Sequence, residues 1–366
     1  MQVSVAHSFQ ELDHRWRLAW REWDVTRFQH SIAWFEVLAS HGLPDGGAPR
    51  LYLVSDAGQP VAALVCCVVP ATRVLRSLTS FYTTEFGAAW APGPASVPAA
   101  IAHAWAAAVA AERPRWDAIE LRLLRSDDPL KTELELALHA RGFSVRRYFQ
   151  FETWFATTAA MGYDAYFAAR PSQLRNTIAR REKKLRREHA VDISVERNPG
   201  PALDVAIAAF EHVYRASWKQ PEPCADFIAA MARAAAARGV LRLGVLRVDG
   251  APAAAQLWLT TPTRATIYKL AYDEKYREWS VGSILSTTMF RLALDDDHVA
   301  EIDYGVGSEP YKRDWMSTTR QAEGLLAYNW RTPRGLAGAL RERSAVLWNR
   351  WRHARRPPQP AATAGD

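Results

Sequence analysis

Cysteine is scarce in this chain: Cys66, Cys67 and Cys224 are the only three in 366 residues. They offer neither a zinc-ligand spacing nor a framework of disulfides, so a reducing cytoplasm is the expected compartment. Long apolar runs are missing as well. The longest, VAALVCCVV at 61–69, falls far short of the roughly 20 residues that cross a bilayer. The opening MQVSVAHSFQELDHRW has no apolar signal core, and export is not expected. None of the ten histidines stands at a metal-ligand spacing or beside a candidate serine, which leaves no metal in the expected chemistry.

What is present is a chain long enough for two units, with 49% hydrophobic residues to fill its core. The net charge of +7 is concentrated in two patches. Between Arg170 and Glu188 eight basic residues face two acidic ones, and between Arg331 and Arg356 eight arginines face Glu342 alone.

The chain also repeats itself. RLYLVSDAGQPVAALV (50–65) and RLGVLRVDGAPAAAQL (242–257) each read as a strand, a tight turn and a second strand, the pattern of a β-hairpin. A helix and a strand follow each hairpin: AIAHAWAAAVAAE (100–112) and DAIELRLL (117–124) in the first half, SILSTTMFRLALD (283–295) and VAEIDYG (299–305) in the second. The same order twice predicts two copies of one α/β unit.

The second copy is written more fully. VDISVE (191–196) alternates like a half-buried strand. LDVAIAAFEHVYRASW (203–218) sets Val205 or Ala206, Ala209, Phe210, Val213 and Tyr214 at helical spacing. A second helix ends at Gly239 as a C-cap, three strands follow, and Ser280 suits the N-cap of the next helix. The order β-α-α-β-β-β-α-β predicts a mixed sheet. With YKLAYDEKYREWSVGSILSTTMF and EIDYGVGSEPYKRDW, it resembles the GNAT acyltransferase superfamily, and within it the CelD/BcsL-like group associated with cellulose and exopolysaccharide biosynthesis, related to FemAB-type transferases. The resemblance covers about 170–330 and extends more weakly over the first half.

That resemblance implies a mixed α/β fold of two tandem GNAT-like lobes: a degenerate one over 1–155 and an acyltransferase lobe over 156–330, led by a basic helix at 172–189. A basic amphipathic helix at 331–356 and a disordered tail at 357–366 complete the expected organisation. The pyrophosphate of an acyl-CoA donor, acetyl-CoA in the favoured reading, is expected at the turn Arg277, Ser280, Val281, Gly282 and Ser283, where a helix N-terminus presents free N–H groups. Val281 stands where the family often has proline. Asp303 is the expected base, with burial beside Tyr304 suiting it to accept a proton. Glu301 is read as structural. Tyr304 and Tyr311 are candidate proton donors to the leaving thiolate. Trp218, Lys219 and Lys312 are candidate acceptor ligands, although Trp218 reads more readily as a cap on the core.

The expected reaction is N- or O-acylation of a sugar or sugar-linked precursor in exopolysaccharide or cellulose biosynthesis. The alternatives are a FemAB-like transferase fed by aminoacyl-tRNA and a non-catalytic accessory protein of polysaccharide assembly. The basic helix, with its thin stripe of Leu174, Ile178 and Leu185, reads as a solvated linker, an anion-binding edge of the cleft or a nucleic-acid contact. Nucleic acid is the least expected partner, because no RNA-binding motif with interleaved aromatics is present. The C-terminal helix either packs Leu340, Leu347 and Trp351 on the body or lies on an anionic membrane surface, giving a cytoplasmic protein with loose attachment to the inner membrane as an option.

Overall fold

The computed structural model describes residues 1–43, 46–69, 71–91, 93–94, 97–158 and 161–354. Its first unit runs β1 (Gln2–Ala6), α1 (His14–Trp23), α2 (Ile32–His41), β2 (Ala48–Asp56), β3 (Gln59–Val68), β4 (Val74–Ser77), β5 (Ala89–Trp90), α3 (Val97–Ala111), β6 (Ala118–Arg125), α4 (Pro129–Ala140) and β7 (Phe143–Thr157). Helices α5 (Tyr163–Ala168) and α6 (Ser172–Glu188) connect it to the second. That unit runs β8 (Val191–Glu196), α7 (Pro201–Arg215), α8 (Phe227–Ala237), β9 (Leu241–Val248), β10 (Ala251–Thr260), β11 (Arg264–Tyr272), α9 (Val281–Arg291), β12 (Glu301–Asp303), α10 (Pro310–Trp315) and β13 (Thr318–Asn329), and α11 (Pro333–Ala354) is the last of the described elements. Apart from the two-residue β5, the units share one element order.

The repetition reaches the backbone. Both hairpins turn on two consecutive residues of positive φ, Ala57 (45°) with Gly58 (78°) and Asp249 (50°) with Gly250 (81°), the conformation that matches a tight turn to the twist of its strands. Helix α8 ends before Gly239 at φ 72°, as its sequence predicts.

The strands form one mixed sheet in the order β1-β2-β3-β4-β6-β13-β7-β12-β11-β10-β9-β8, with β5 on β3. Only two neighbouring pairs among the described named strands are parallel, β4 with β6 and β11 with β12. The centre is an exchange. Strand β7 of the first unit pairs with β12 of the second, β13 of the second pairs with β6 of the first, and the two exchanged strands run antiparallel from Thr318↔Phe155 to Asn329↔Phe143. Both units therefore share one sheet, and residues of each meet across its middle.

Side chains alternate from this sheet into two cores: Leu257 of β10 joins a large one with Trp34, Phe210 and Phe227, and its neighbour Trp258 joins a second with Ile284, Leu285 and Phe290. On α7 the alternative at the start of the periodic stripe resolves to Ala206, which is buried, with Val205 in solvent. On α6 only Ile178 and Leu185 are buried, so the thin stripe is real and most of the basic face is exposed. Leu336 and Leu340 of α11 are exposed while Ala339 is buried, which corrects the expected packing of Leu340. The side chains of Leu347 and Trp351 and the expected disordered tail lie outside the described residues.

Candidate active site

The stretch EIDYG sits in the middle of the molecule and not on a solvated edge. Glu301 and Asp303 share one face of β12, and that face meets arginines from distant strands. Asp303 Oδ2 accepts from Arg264 at 2.7 Å and from Arg320 at 3.2 Å, while Oδ1 accepts from Thr153 Oγ1 at 2.8 Å and from the Gly305 N–H at 2.7 Å. Arg264 also donates to both oxygens of Glu85 from the first unit, at 2.8 and 2.7 Å. Arg320 holds Glu301 through Nη2 at 2.7 Å. Burial works to raise the Glu301 carboxyl, but the hydrogen bond from Arg320 and the charge of Arg264 hold it below its ordinary value.

This arrangement corrects the expected role of Asp303. Its oxygens are taken by two guanidiniums, a hydroxyl and an amide, so none is left to receive a substrate proton. Its connection to the surface is the loop that follows. Gly305 at φ 64° and Gly307 at φ 96° turn the chain there, in conformations only glycine adopts freely. Lys312 then fastens this loop: its Nζ donates to the carbonyls of Val306 at 2.6 Å and Gly307 at 3.2 Å and pairs with Glu309 at 2.7 Å. Three donors are thereby used, and Lys312, expected as an acceptor ligand, is instead a clamp on the loop.

Above the loop lies a pocket of about 260 Å³ between the units. The first unit contributes Phe81, Tyr82 and Thr84; the second contributes Lys219, Tyr268, Lys269, Tyr304 and Tyr311, among others. Four residues that the sequence singles out, Lys219, Tyr304, Tyr311 and Lys312, thus converge. The Tyr304 and Tyr311 rings meet edge to face at 5.8 Å. Burial raises both phenols above their ordinary value, so they stay protonated and able to donate. Lys269 is paired with Glu222 at 2.8 Å. The Lys219 ammonium has neither hydrogen bond nor ion pair among the described residues; it lies 5.9 Å from the Trp218 ring. Burial, reinforced by Lys269 and Lys312, brings its pKa down from 10.5 to about 8. Trp218 is 46% exposed, so it is no core cap; its ring leans on Tyr272 at 4.7 Å.

Tyr272 connects the Trp218 ring to the expected donor turn, for its Cδ1 lies 3.4 Å from where a Cβ on Gly282 would stand. Helix α9 begins at Val281, so the N–H groups of Val281, Gly282 and Ser283 occupy its first turn, where a helix leaves them unpaired. Ser280 is at the N-cap position, but it is left-handed (φ 53°) and its hydroxyl makes no cap bond, which corrects the expected capping. Arg277 is exposed. Helix α6 runs alongside, with Lys184 Nζ 4.7 Å from the Trp279 ring, so the basic helix flanks this turn. No His/Cys/Asp/Glu group among the described residues has the arrangement of a metal site.

Residues 172–313, which contain Lys219, α9 and the Tyr304–Lys312 loop, match the family model of the acetyltransferase (GNAT) domain. This stretch is a GNAT-type acyltransferase domain. The GNAT domain holds most of the pocket wall, and the protein is an acyltransferase of mixed α/β fold. No curated protein matches the chain in sequence. In fold it is similar to FemX, with a TM-score of 0.62 at 11% identity over 89% of this chain and 97% of that one. It is also similar to the C-terminal domain (DUF2156) of a putative lysylphosphatidylglycerol synthetase from Agrobacterium fabrum, with a TM-score of 0.54 at 14% identity over 89% and 94% of the two chains. L-PGS from Bacillus licheniformis shows the same likeness, 0.52 at 13% identity over 88% and 98%. These similarities are of fold and span both units.

The residues that sequence reasoning missed are Glu85, Arg264 and Arg320 beneath the loop and Phe81, Tyr82 and Lys269 on the wall. Their signal was weak: Arg264 and Lys269 stand on β11 next to residues already singled out, whereas Phe81 to Glu85 belong to a loop of the other unit.

Proposed function

We propose that the protein transfers an acyl group, acetyl from acetyl-CoA, to an amine or hydroxyl of a sugar or sugar-linked precursor, with exopolysaccharide or cellulose assembly as the process served. The observation that carries this reading is the unpaired Lys219, lowered to about 8, in a pocket that also holds two protonated phenols. The first-turn N–H groups of Val281 to Ser283 bind the donor's pyrophosphate, with the Ser280 and Ser283 hydroxyls and Arg277 at its border. Neutral Lys219 takes the proton of the acceptor N–H or O–H as that atom attacks the thioester carbonyl. The carbon–sulfur bond then breaks, and Tyr304 or Tyr311 gives its phenolic proton to the departing thiolate. Asp303 and Lys312 position these groups by fixing the 304–309 loop. The exposed rings of Phe81 and Tyr311 border the pocket with flat apolar faces suited to a sugar ring, and the exposed Trp218 is the neighbour of Lys219 in the chain.

Release of free thiol from acetyl-CoA in the presence of amino sugars and sugar nucleotides tests the reading. Acceptor-dependent thiol release, lost in Lys219→Met, is expected; thiol release from no amine or hydroxyl acceptor overturns it. One observation favours the FemAB-like alternative with an aminoacyl-tRNA donor. The exposed basic face of α6 lies against the same donor turn, where a polyanion longer than CoA gains contacts. The described part of α11 leaves Leu336 and Leu340 in solvent among arginines, in keeping with loose attachment to an anionic membrane surface; no described helix is long and apolar enough to cross a membrane.

A further inference from the structure

A sheet opens a cleft where two parallel strands part, and this sheet has two such partings. One, between β11 and β12, lies under the pocket of the second unit. The other belongs to the first unit. There β4 and β6 stay paired only through Val74↔Ala118, Leu75↔Ile119 and Arg76↔Glu120, and a cleft of about 450 Å³ opens, lined by Arg76, Ser77, Thr79, Ser80, Glu120 and Arg122 among others. The register makes the Arg76–Glu120 pair the counterpart of Thr266–Asp303 in the second unit.

The cleft differs from its counterpart in what it offers a ligand. In the second unit α9 follows β11 closely and presents its first turn. In the first unit the chain from Ser77 to α3 detours through β5, and Pro98 in the first turn of α3 has no N–H to give. Among the described residues the cleft therefore has no helix start like that of α9 to cradle a second thioester. It has side-chain donors instead. Arg76 Nε lies 3.3 Å from Glu120 Oε2, an ion pair that still leaves the Arg76 side chain 40% exposed. Glu120 is already engaged, because its Oε1 accepts from Tyr148 at 3.1 Å. Arg122 is exposed and its guanidinium makes no hydrogen bond or ion pair among the described residues; only its backbone N–H is used, donating to Ser77 Oγ at 2.9 Å. The unpaired guanidinium of Arg122, the exposed part of the Arg76 guanidinium and the Ser80 hydroxyl, which accepts from the Tyr82 N–H and keeps its own proton to give, offer more donors than the two oxygens of a carboxylate accept. They suit the three terminal oxygens of a phosphate.

Phe81 connects this cleft to the acyl-transfer pocket. It lines both and is 64% exposed, so a molecule whose ring rests on Phe81 reaches Lys219 on one side and Arg122 on the other. We infer that the first unit carries an anion-binding subsite for a phosphate monoester of the acceptor, held by Arg122 and Arg76, while the acceptor's nucleophile lies beside Lys219. This inference rests on the acyltransferase reading for the nucleophile's position and on the cleft alone for the phosphate.

Titration of the full-length protein with glucose 1-phosphate, and separately with inorganic phosphate, followed by phosphorus-31 line broadening, tests it. Wild-type protein broadens both signals. Arg122→Gln, an exposed change that leaves the core untouched, weakens phosphate binding about tenfold, the loss expected for one charge-assisted hydrogen-bonding partner. Arg21→Gln, which removes an equal charge from an exposed residue of α1 that does not line the cleft, leaves it unchanged. Tighter binding of the sugar phosphate than of free phosphate marks a subsite that also receives the ring, whereas free phosphate alone binding means a bare anion site and overturns the assignment to the acceptor. Absence of broadening by the wild type, or equal weakening in Arg21→Gln, also overturns it. CoA titrated into the same Arg122→Gln sample keeps the two proposals apart: retained CoA affinity with unchanged phosphate binding defeats the subsite and leaves the acyltransferase reading intact.

Discussion

Asp303→Asn separates a proton acceptor from a positioning group. The substitution keeps the shape of the side chain, and its Oδ1 can still accept from Thr153 and Gly305. The amide nitrogen then faces Arg264 and Arg320, donor against donor, where the carboxylate oxygen had accepted at 2.7 and 3.2 Å. Breaking a buried ion pair costs about 3–5 kcal/mol. The low end applies here, because Glu85 and Glu301 continue to compensate the two arginines. Unfolding entropy is about 2.1 cal/mol/K per residue, so for 366 residues a loss of about 3 kcal/mol lowers Tm by about 4 °C. Circular dichroism melting measures this shift. Below the transition, turnover falls and the acceptor KM rises, because the 304–309 loop loses its anchor, while CoA affinity is unchanged. A variant with wild-type Tm and abolished turnover refutes the reasoning and makes Asp303 the base that its place in the sequence suggests.

The acyl-transfer rate of the wild type rises with pH through an apparent pKa near 8 as Lys219 becomes neutral, and Lys219→Met removes that limb of the kcat/KM profile, since the lowered pKa leaves more free base at neutral pH than an ordinary lysine has. Burial raises the Asp24 carboxyl to about 6 against the pull of Arg238 and Arg21, so its contribution to stability is fully present below pH 3.8 and is lost as pH rises through 6. Urea unfolding at pH 4 and 7 then shifts the balance toward Asp24→Asn by up to about 3 kcal/mol. Gly335→Ala drives a Cβ to 2.3 Å from the Asn329 carbonyl and lowers Tm by several degrees, whereas Gly282→Ala meets Tyr272 at an ordinary 3.4 Å and melts like the wild type. Sedimentation with anionic vesicles is strong at low salt and lost at high salt if α11 lies on the membrane surface; no binding at low salt eliminates that attachment.

The features legible in the sequence were those written locally. Two Asp/Gly-type hairpins, the helical stripe of α7, Gly239 and the thin apolar stripe of α6 each follow from neighbours within a dozen residues, and together they imply the doubled unit. The exchange of β7 and β13 has no local signature, since strand partners are chosen by packing across the whole sheet. Asp303 shows why the site was only half legible. Its polarity at a strand end marks it as unusual, yet its role depends on Arg264, Arg320 and, through Arg264, Glu85, which come from three other segments and meet it only in the folded sheet. Lys312 is similar: a lysine beside tyrosines suggests a ligand contact, and only the carbonyls of Val306 and Gly307 turned toward it reveal a clamp. Lys219 stood in the right pocket, but the burial and neighbouring lysines that lower its pKa come from β11 and α10.

The central claim is a thioester donor held at the first turn of α9, and calorimetry with CoA, acetyl-CoA and bulk tRNA on wild-type and Gly282→Glu protein tests it most directly. The account predicts saturable binding of CoA and acetyl-CoA by the wild type and none by a folded Gly282→Glu, whose side chain adds bulk and like charge where the pyrophosphate lies. Unchanged CoA affinity in that variant, or tight salt-dependent tRNA binding with no response to CoA, contradicts it.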